Sequence, residues 1–345
     1  MASIMELVTS DAITSYWETQ EQNRAPYLGE ELFPSRQKLG LNLKWVKGSS
    51  GLPVVLKPSA YDVKAVKRDR VGLEKLSSQM PFFKESMSID EELRQELNMV
   101  LETGNQAYID SVVDKVFADS TSLLDGAAAQ RERIRMMALT TGSVSISANG
   151  QDYDYDYGMP ANHSDTVDAS WSDPTTDIVT DIRDRQDIIE DETGVRPTRA
   201  ICTRKTFGYI SKNETVRNAI LGNDTAAPVS EAKIIAYFKD ELGLTLVVYT
   251  KKYMNESKVA TSYVPDDVFV MFPEGELGTG WFGTTPEQSD LMTGSNAAVE
   301  ITDVGVAVTT TKTTDPVSVD TKVSMIYLPS FEAANQVFII DVITG

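Results

Sequence analysis

The chain has 345 residues, 41% hydrophobic and 24% charged, a folded and soluble composition without an apolar run near the ~20 residues that cross a membrane. One cysteine, Cys202, excludes internal disulfides and multi-cysteine metal sites, and one histidine, His163, leaves a hydrolase or metalloenzyme almost nothing but carboxylates. The net charge of −19 opposes ordinary nucleic-acid binding, which needs Lys and Arg to neutralise phosphates.

The first six residues lack the basic start and apolar core of a signal peptide, so the protein is expected in a cytoplasm. Residues 1–35 read as an arm. Ile4, Leu7, Val8 and Ala12 mark a short helical stripe, Tyr16 and Trp17 follow, and Pro26 breaks the pattern. This segment is too small to bury a core, so it must lie on something else.

Residues 36–84 are expected to form an extended basic hairpin. Leu41, Leu43 and Trp45 alternate with polar neighbours, and a Gly48-to-Gly51 turn sends the chain back. A two-stranded ribbon is marginal alone and its apolar face needs a partner. The segment holds eleven Lys/Arg against three Asp/Glu, a net of +8, whereas residues 85–125 hold two against ten, a net of −8. One block is the electrostatic complement of the next, either within a copy or between copies.

A long helix is predicted over 88–119, with Ser88 as its cap, Glu91 at the capping-box position and Gly104 as a kink. A second helix is predicted over 127–139, stopped by Gly142. Residues 144–157 read as a hairpin around Asn149 and Gly150. Asp152, Asp154 and Asp156 resemble the start of a calcium loop, but Tyr157 and His163 occupy positions that need Gly and Glu. The alternation of Asp and Tyr predicts a strand with one aromatic and one wet face. His163 is expected in an exposed polar loop.

Residues 170–285 carry α/β signals. Asp173 and Pro174 are read as opening a helix with Ile178, Ile182 and Ile189 on its buried face and Gly194 at its end. Strands near 199–203 and 244–250 flank a helix at 230–242. The carboxylates between Asp165 and Glu192 read as a solvated helix face. Gly278, Gly280 and Gly283 match a dinucleotide-loop spacing, but no long helix follows, and a glycine-rich surface loop is the reading taken. The strands of 286–345 are expected to return to those near 144–157.

This order of parts, with its local sequence, resembles the lambda-type phage major capsid proteins. The matching residues are Asp156, Tyr157 and Gly158, then Trp171 with 173–178, Leu246 to Tyr249 with Tyr253, Val264 to Asp266, and Asp315 with Pro316. The resemblance implies an α+β, Hong Kong 97-like phage capsid fold. Its parts would be an N-arm (1–35), an E-loop hairpin (36–84), a P domain with a long spine helix (85–169), an α/β A domain (170–285) and C-terminal strands (286–345). It implies a homo-oligomer of hexamers and pentamers enclosing double-stranded DNA without sequence-specific binding. Assembly would take place in the bacterial host cytoplasm, with no membrane, cofactor, metal or catalytic residue. Scaffolding, portal and decoration proteins would be partners, and the scaffold a separate protein, since the chain starts with the arm. In the family fold the E-loop lies over a neighbour's spine helix, so Lys44, Trp45, Lys47 and Lys57 are expected to meet Glu91, Glu92 and Glu96 of another copy. An encapsulin-like compartment on the same fold and a carboxylate-dependent hydrolase are the alternatives.

Overall fold

The structure, a computed structural model, describes residues 9–21, 24–46, 75–89, 91, 95, 99, 106–222, 227–292, 298–314 and 317–344. Most of the predicted basic hairpin, including Lys47 and Lys57, lies outside these residues, as do Ile4, Leu7, Val8, Glu92, Glu96 and Gly104.

In chain order the arm holds helices α1 (Ser10–Glu21) and α2 (Leu28–Leu32) and the short strand β1 (Ser35–Gln37). Strand β2 (Asn42–Val46) pairs with β3 (Lys75–Gln79), and β4 (Phe82–Ile89) follows. Helix α3 (Gln106–Thr141) runs 36 residues, about 54 Å at 1.5 Å per residue. Strands β5 (Ser143–Ala148) and β6 (Gln151–Asp156) form the predicted hairpin, with Asn149 and Gly150 both at positive φ as a tight turn requires. Strand β7 (Ser164–Thr166) leads to α4 (Ile178–Thr193), β8 (Arg199–Cys202), α5 (Arg204–Lys212), α6 (Glu214–Leu221), α7 (Glu231–Leu242) and β9 (Thr245–Val248). A small hairpin, β10 (Lys252–Met254) and β11 (Ala260–Ser262), precedes β12 (Val268–Phe272) and β13 (Thr279–Phe282). The last elements are α8 (Pro286–Met292), β14 (Ala298–Thr302), β15 (Val306–Thr314), β16 (Val317–Ser330) and β17 (Phe338–Asp341).

The chain divides into two compact units, the first drawn from 1–43, 77–134 and 279–329, the second from 44–76, 135–278 and 330–345. The first contains a sheet in the order β1-β13-β16-β15-β14, with β4 also on β16. Tight packing sets its glycines: a Cβ on Gly280 would come within 2.5 Å of the Tyr327 hydroxyl, and one on Gly305 within 2.6 Å of Phe282. Gly280 sits in strand β13, not in the surface loop expected of the spaced glycines, with Tyr327 against its Cα.

The second unit is an α/β layer around the sheet β7-β17-β12-β8-β9. Its core joins Ile178, Ile182 and Ile189 of α4 to Ile234, Phe238 and Leu242 of α7 and to Phe269, Met271, Phe338 and Ile340 of the sheet. Gly194 and Gly243 stop α4 and α7 in the left-handed conformation at φ 73° and 67°.

Several boundaries differ from expectation. Ser88 is no helix cap: it pairs with Asp320 inside the ladder between β4 and β16, whose length carries the chain past the local capping signal. Glu91, Gln95 and Met99 are helical. The helices predicted to 119 and from 127 are one, because Ser120 to Gly126 continue α3 without a break. Asp173 closes a turn by accepting from the Thr175 amide at 2.9 Å, and the cap of α4 is Asp177, which accepts from the Thr180 amide. The C-terminal strands do not join 144–157: β15 and β16 extend the first unit's sheet, β17 completes the second unit's, and β5 and β6 pair only with each other among the described strands.

Candidate functional site

The arm has partners in its own chain. Helix α1 buries Ile13 and Trp17, and the Trp17 indole donates to Asp125 of α3 at 2.8 Å. Arg24 reaches the same carboxylate with two nitrogens, in the fork geometry that suits guanidinium to carboxylate. Tyr16 stacks on Phe117 of α3 with centroids 5.4 Å apart, and the Thr302 hydroxyl donates to Glu18. The arm, expected to lie on something else because it is too small to bury a core, thus packs against the long helix and the β14 end.

Beneath it lies a charged layer. Arg131 is 1% exposed, forms an ion pair with Asp303 and stands over the Phe282 ring at 5.5 Å. Glu132, also buried, accepts from the Gly29 amide at 3.2 Å. Burial, followed by repulsion from Asp303 and Glu30, raises the Glu21 carboxyl from 4.5 to about 7, against the opposing pull of Arg131 and Arg24. Composition and periodicity do not show this layer; buried charges amid helical apolar residues are visible only once the segments meet.

Of the proposed contact residues, Lys44 and Trp45 lie in β2 and Glu91 is exposed in a helical stretch, where Gln95 donates to it at 2.9 Å. Among the described residues no ion pair joins the basic segment to the acidic one; Lys38 and Lys84 stand instead over the rings of Trp281 and Phe82. Asp114 and Asp119 are exposed on α3, while Asp125 is taken by the arm.

His163, Cys202 and several α4 carboxylates are engaged structurally. His163 is buried, not exposed as expected: a short 3-10 turn places it over Phe338, with Nε2 2.9 Å from Glu192. Cys202 lies in the core, and burial pushes its thiol up to about 12, far from a nucleophilic thiolate. On α4, Asp187 and Glu190 pair with Arg196, and Asp181 accepts from the Trp171 indole at 2.9 Å. Asp152, Asp154 and Asp156 line the exposed face of β6, with Tyr155 buried and Tyr153 half-buried behind them. Among the described residues no group of three or more His, Cys, Asp or Glu could hold a metal ion, and no helix is long and apolar enough to cross a membrane.

The fold has known counterparts. A candidate capsid protein of a prophage in E. coli CFT073 superimposes with a TM-score of 0.63 at 14% identity, covering 97% of this chain and 99% of that one. A phage-related protein from Bordetella bronchiseptica RB50 gives 0.56 at 14% identity over 95% and 96%. The capsid subunit of cyanophage A-1(L) gives 0.52 at 11% identity over 92% of both. The architecture is therefore the Hong Kong 97-like phage capsid fold, as the resemblance implied. No curated protein matches the chain. The model of the phage major capsid protein E family matches residues 9–342, nearly the whole chain, and the protein belongs to that family of phage shell proteins.

Proposed function

We propose that this chain is a structural subunit that forms hexamers and pentamers, closes into an icosahedral head around double-stranded DNA in the host cytoplasm, and catalyses nothing. The family match over 9–342 carries this reading. The engagement of His163, Cys202, Asp187 and Glu190 in packing and ion pairs supports a mechanical role. An acidic surplus of −19 suits a lining that repels packed DNA and lets it slide. Scaffolding, portal and decoration proteins are the partners such a head requires. Negative-stain microscopy of the purified chain tests the reading: capsomer rings or closed shells are expected, and a monomer at every concentration contradicts it.

Within that reading the hairpin's basic block, with Lys44, Trp45, Lys47 and Lys57, lies over the acidic block of a neighbour at Glu91, Glu92 and Glu96. Each exposed pair contributes about 0.2–1 kcal/mol, so only several together set rate and register. Light scattering across a chloride series checks this. Lys44→Glu, Lys47→Glu and Lys57→Glu combined should block assembly of a folded subunit, and wild-type assembly should slow as the Debye length falls from about 10 Å at 0.1 M to about 3 Å at 1 M.

A further inference from the structure

The hairpin β10–β11 has no strand neighbour beyond its own pair among the described residues, yet its tip is firmly built. The Asn255 side chain accepts from the amides of Ser257 and Val259 at 3.0 and 2.9 Å, the Asn255 amide donates to the Val259 carbonyl at 3.0 Å, and Lys258 holds φ at 60°. The register places Met254 opposite Ala260 and Lys252 opposite Ser262, so these four share one face, while Tyr253 and Thr261 share the other. The Tyr253 ring lies tilted against that of Tyr263 with centroids 5.0 Å apart. The face shared by Lys252 and Met254, the latter 65% exposed, leads to a tip where Lys258 and Glu256 are both exposed, and Val259 on the return strand is 57% exposed. Residues 251–258 hold Lys251, Lys252 and Lys258 against Glu256, a local positive surplus around Met254 on a protein of net charge −19.

The same unit carries the complementary surface. On α4, Asp184, Ile188 and Asp191 fall at i, i+4 and i+7, one stripe along the helix. Both aspartates are exposed and Ile188 is half-buried. Asp184 and Asp191 are separated by about 10 Å along the helix, and three strand residues from Lys252 to the tip also span about 10 Å.

We propose that the β10–β11 hairpin of one copy docks on the Asp184–Ile188–Asp191 stripe of α4 in the next copy, Met254 against Ile188 with a lysine toward each aspartate. The partner is a second copy of this chain, so the inference rests on the shell reading and supplies one contact within a capsomer. Because hairpin and stripe are different surfaces, the contact is head-to-tail, the kind that closes into rings. The apolar centre favours a protein partner over DNA, for which the lysines alone would suffice.

The test is a charge swap read by sedimentation velocity and negative-stain microscopy, with circular dichroism confirming the fold. Lys252→Glu with Lys258→Glu should weaken ring formation at least tenfold in concentration, as should Asp184→Lys with Asp191→Lys. The four changes combined should restore rings. Wild-type rings together with unaffected reversals, or a folded four-fold variant that stays dissociated, overturn the contact and leave the shell reading standing. Reversals that spare assembly but reduce DNA retention would make the hairpin a DNA contact and overturn it likewise. A wild-type chain that never oligomerises overturns the shell reading and the contact together.

Discussion

In the α/β unit, α4 and α7 lie a few residues from strands β8 and β9, whose sheet shares their core, whereas in the arm unit the closing contacts join distant segments. Trp17 meets Asp125 across 108 residues, Arg131 meets Asp303 across 172, and Thr302 meets Glu18 across 284. The chemistry differs too. The α/β unit buries a large apolar cluster with His163, Gln186 and Asn213 among its buried polar groups, while the arm unit places Arg131 and Glu132 under its arm. A surface closed by long-range contacts costs more loop-closure entropy to order and opens more readily where few apolar contacts hold it.

The largest expected effect is in the α/β core. Phe269 is fully buried and edge-on to Trp171 with centroids 5.3 Å apart, so Phe269→Ala should destabilise that unit by about 3–5 kcal/mol. Urea unfolding would measure the loss, and hydrogen exchange should place it in 178–272. In the arm unit, Arg131→Met leaves Asp303 without its buried cation and should cost about 3 kcal/mol, since Asp303 keeps part of its hydration. Here exchange should rise in α1 and leave α4 unchanged; protection lost equally from both helices would erase the contrast between the units.

A smaller loss, about 1–2 kcal/mol, is expected for Asn213→Ala. Its buried amide donates to the carbonyls of Pro174 and Thr176 at 3.0 and 2.7 Å, and its oxygen caps α6 at the Val216 amide. Thermal unfolding would register it. The subtlest effect is a pH dependence confined to the arm. Glu21 has a docked value of about 7 against an ordinary 4.5, so docking favours the protonated form. Its contribution is fully present below about pH 4.5 and fades as pH rises to about 7. Protease protection of residues 10–21 should decline across that window and level off above it, and Glu21→Gln should flatten the profile.

Local signals in the sequence were sufficient for much of the α/β unit. Gly194 and Gly243 mark helix ends, Ile178, Ile182 and Ile189 mark a buried face, and Asn149-Gly150 marks a turn, because each depends on neighbours a few residues away. Ser88 carried an equally good local signal and misled, since pairing with Asp320 more than 200 residues later decides its conformation. The burial of His163 under Phe338 and the close approach of Gly280 to Tyr327 depend on distant strands in the same way. Trp17 announced an apolar arm but not its partner, and the charged layer around Arg131 had no sequence signature at all.

Whether copies of this chain build a closed shell is decided by cryo-electron microscopy of particles assembled from the purified protein. Icosahedral shells are expected whose hexamers and pentamers repeat this fold, with α1 held against α3 of its own copy. Particles without icosahedral order, or a subunit of this fold that remains monomeric through every concentration and salt condition, would contradict a closed shell.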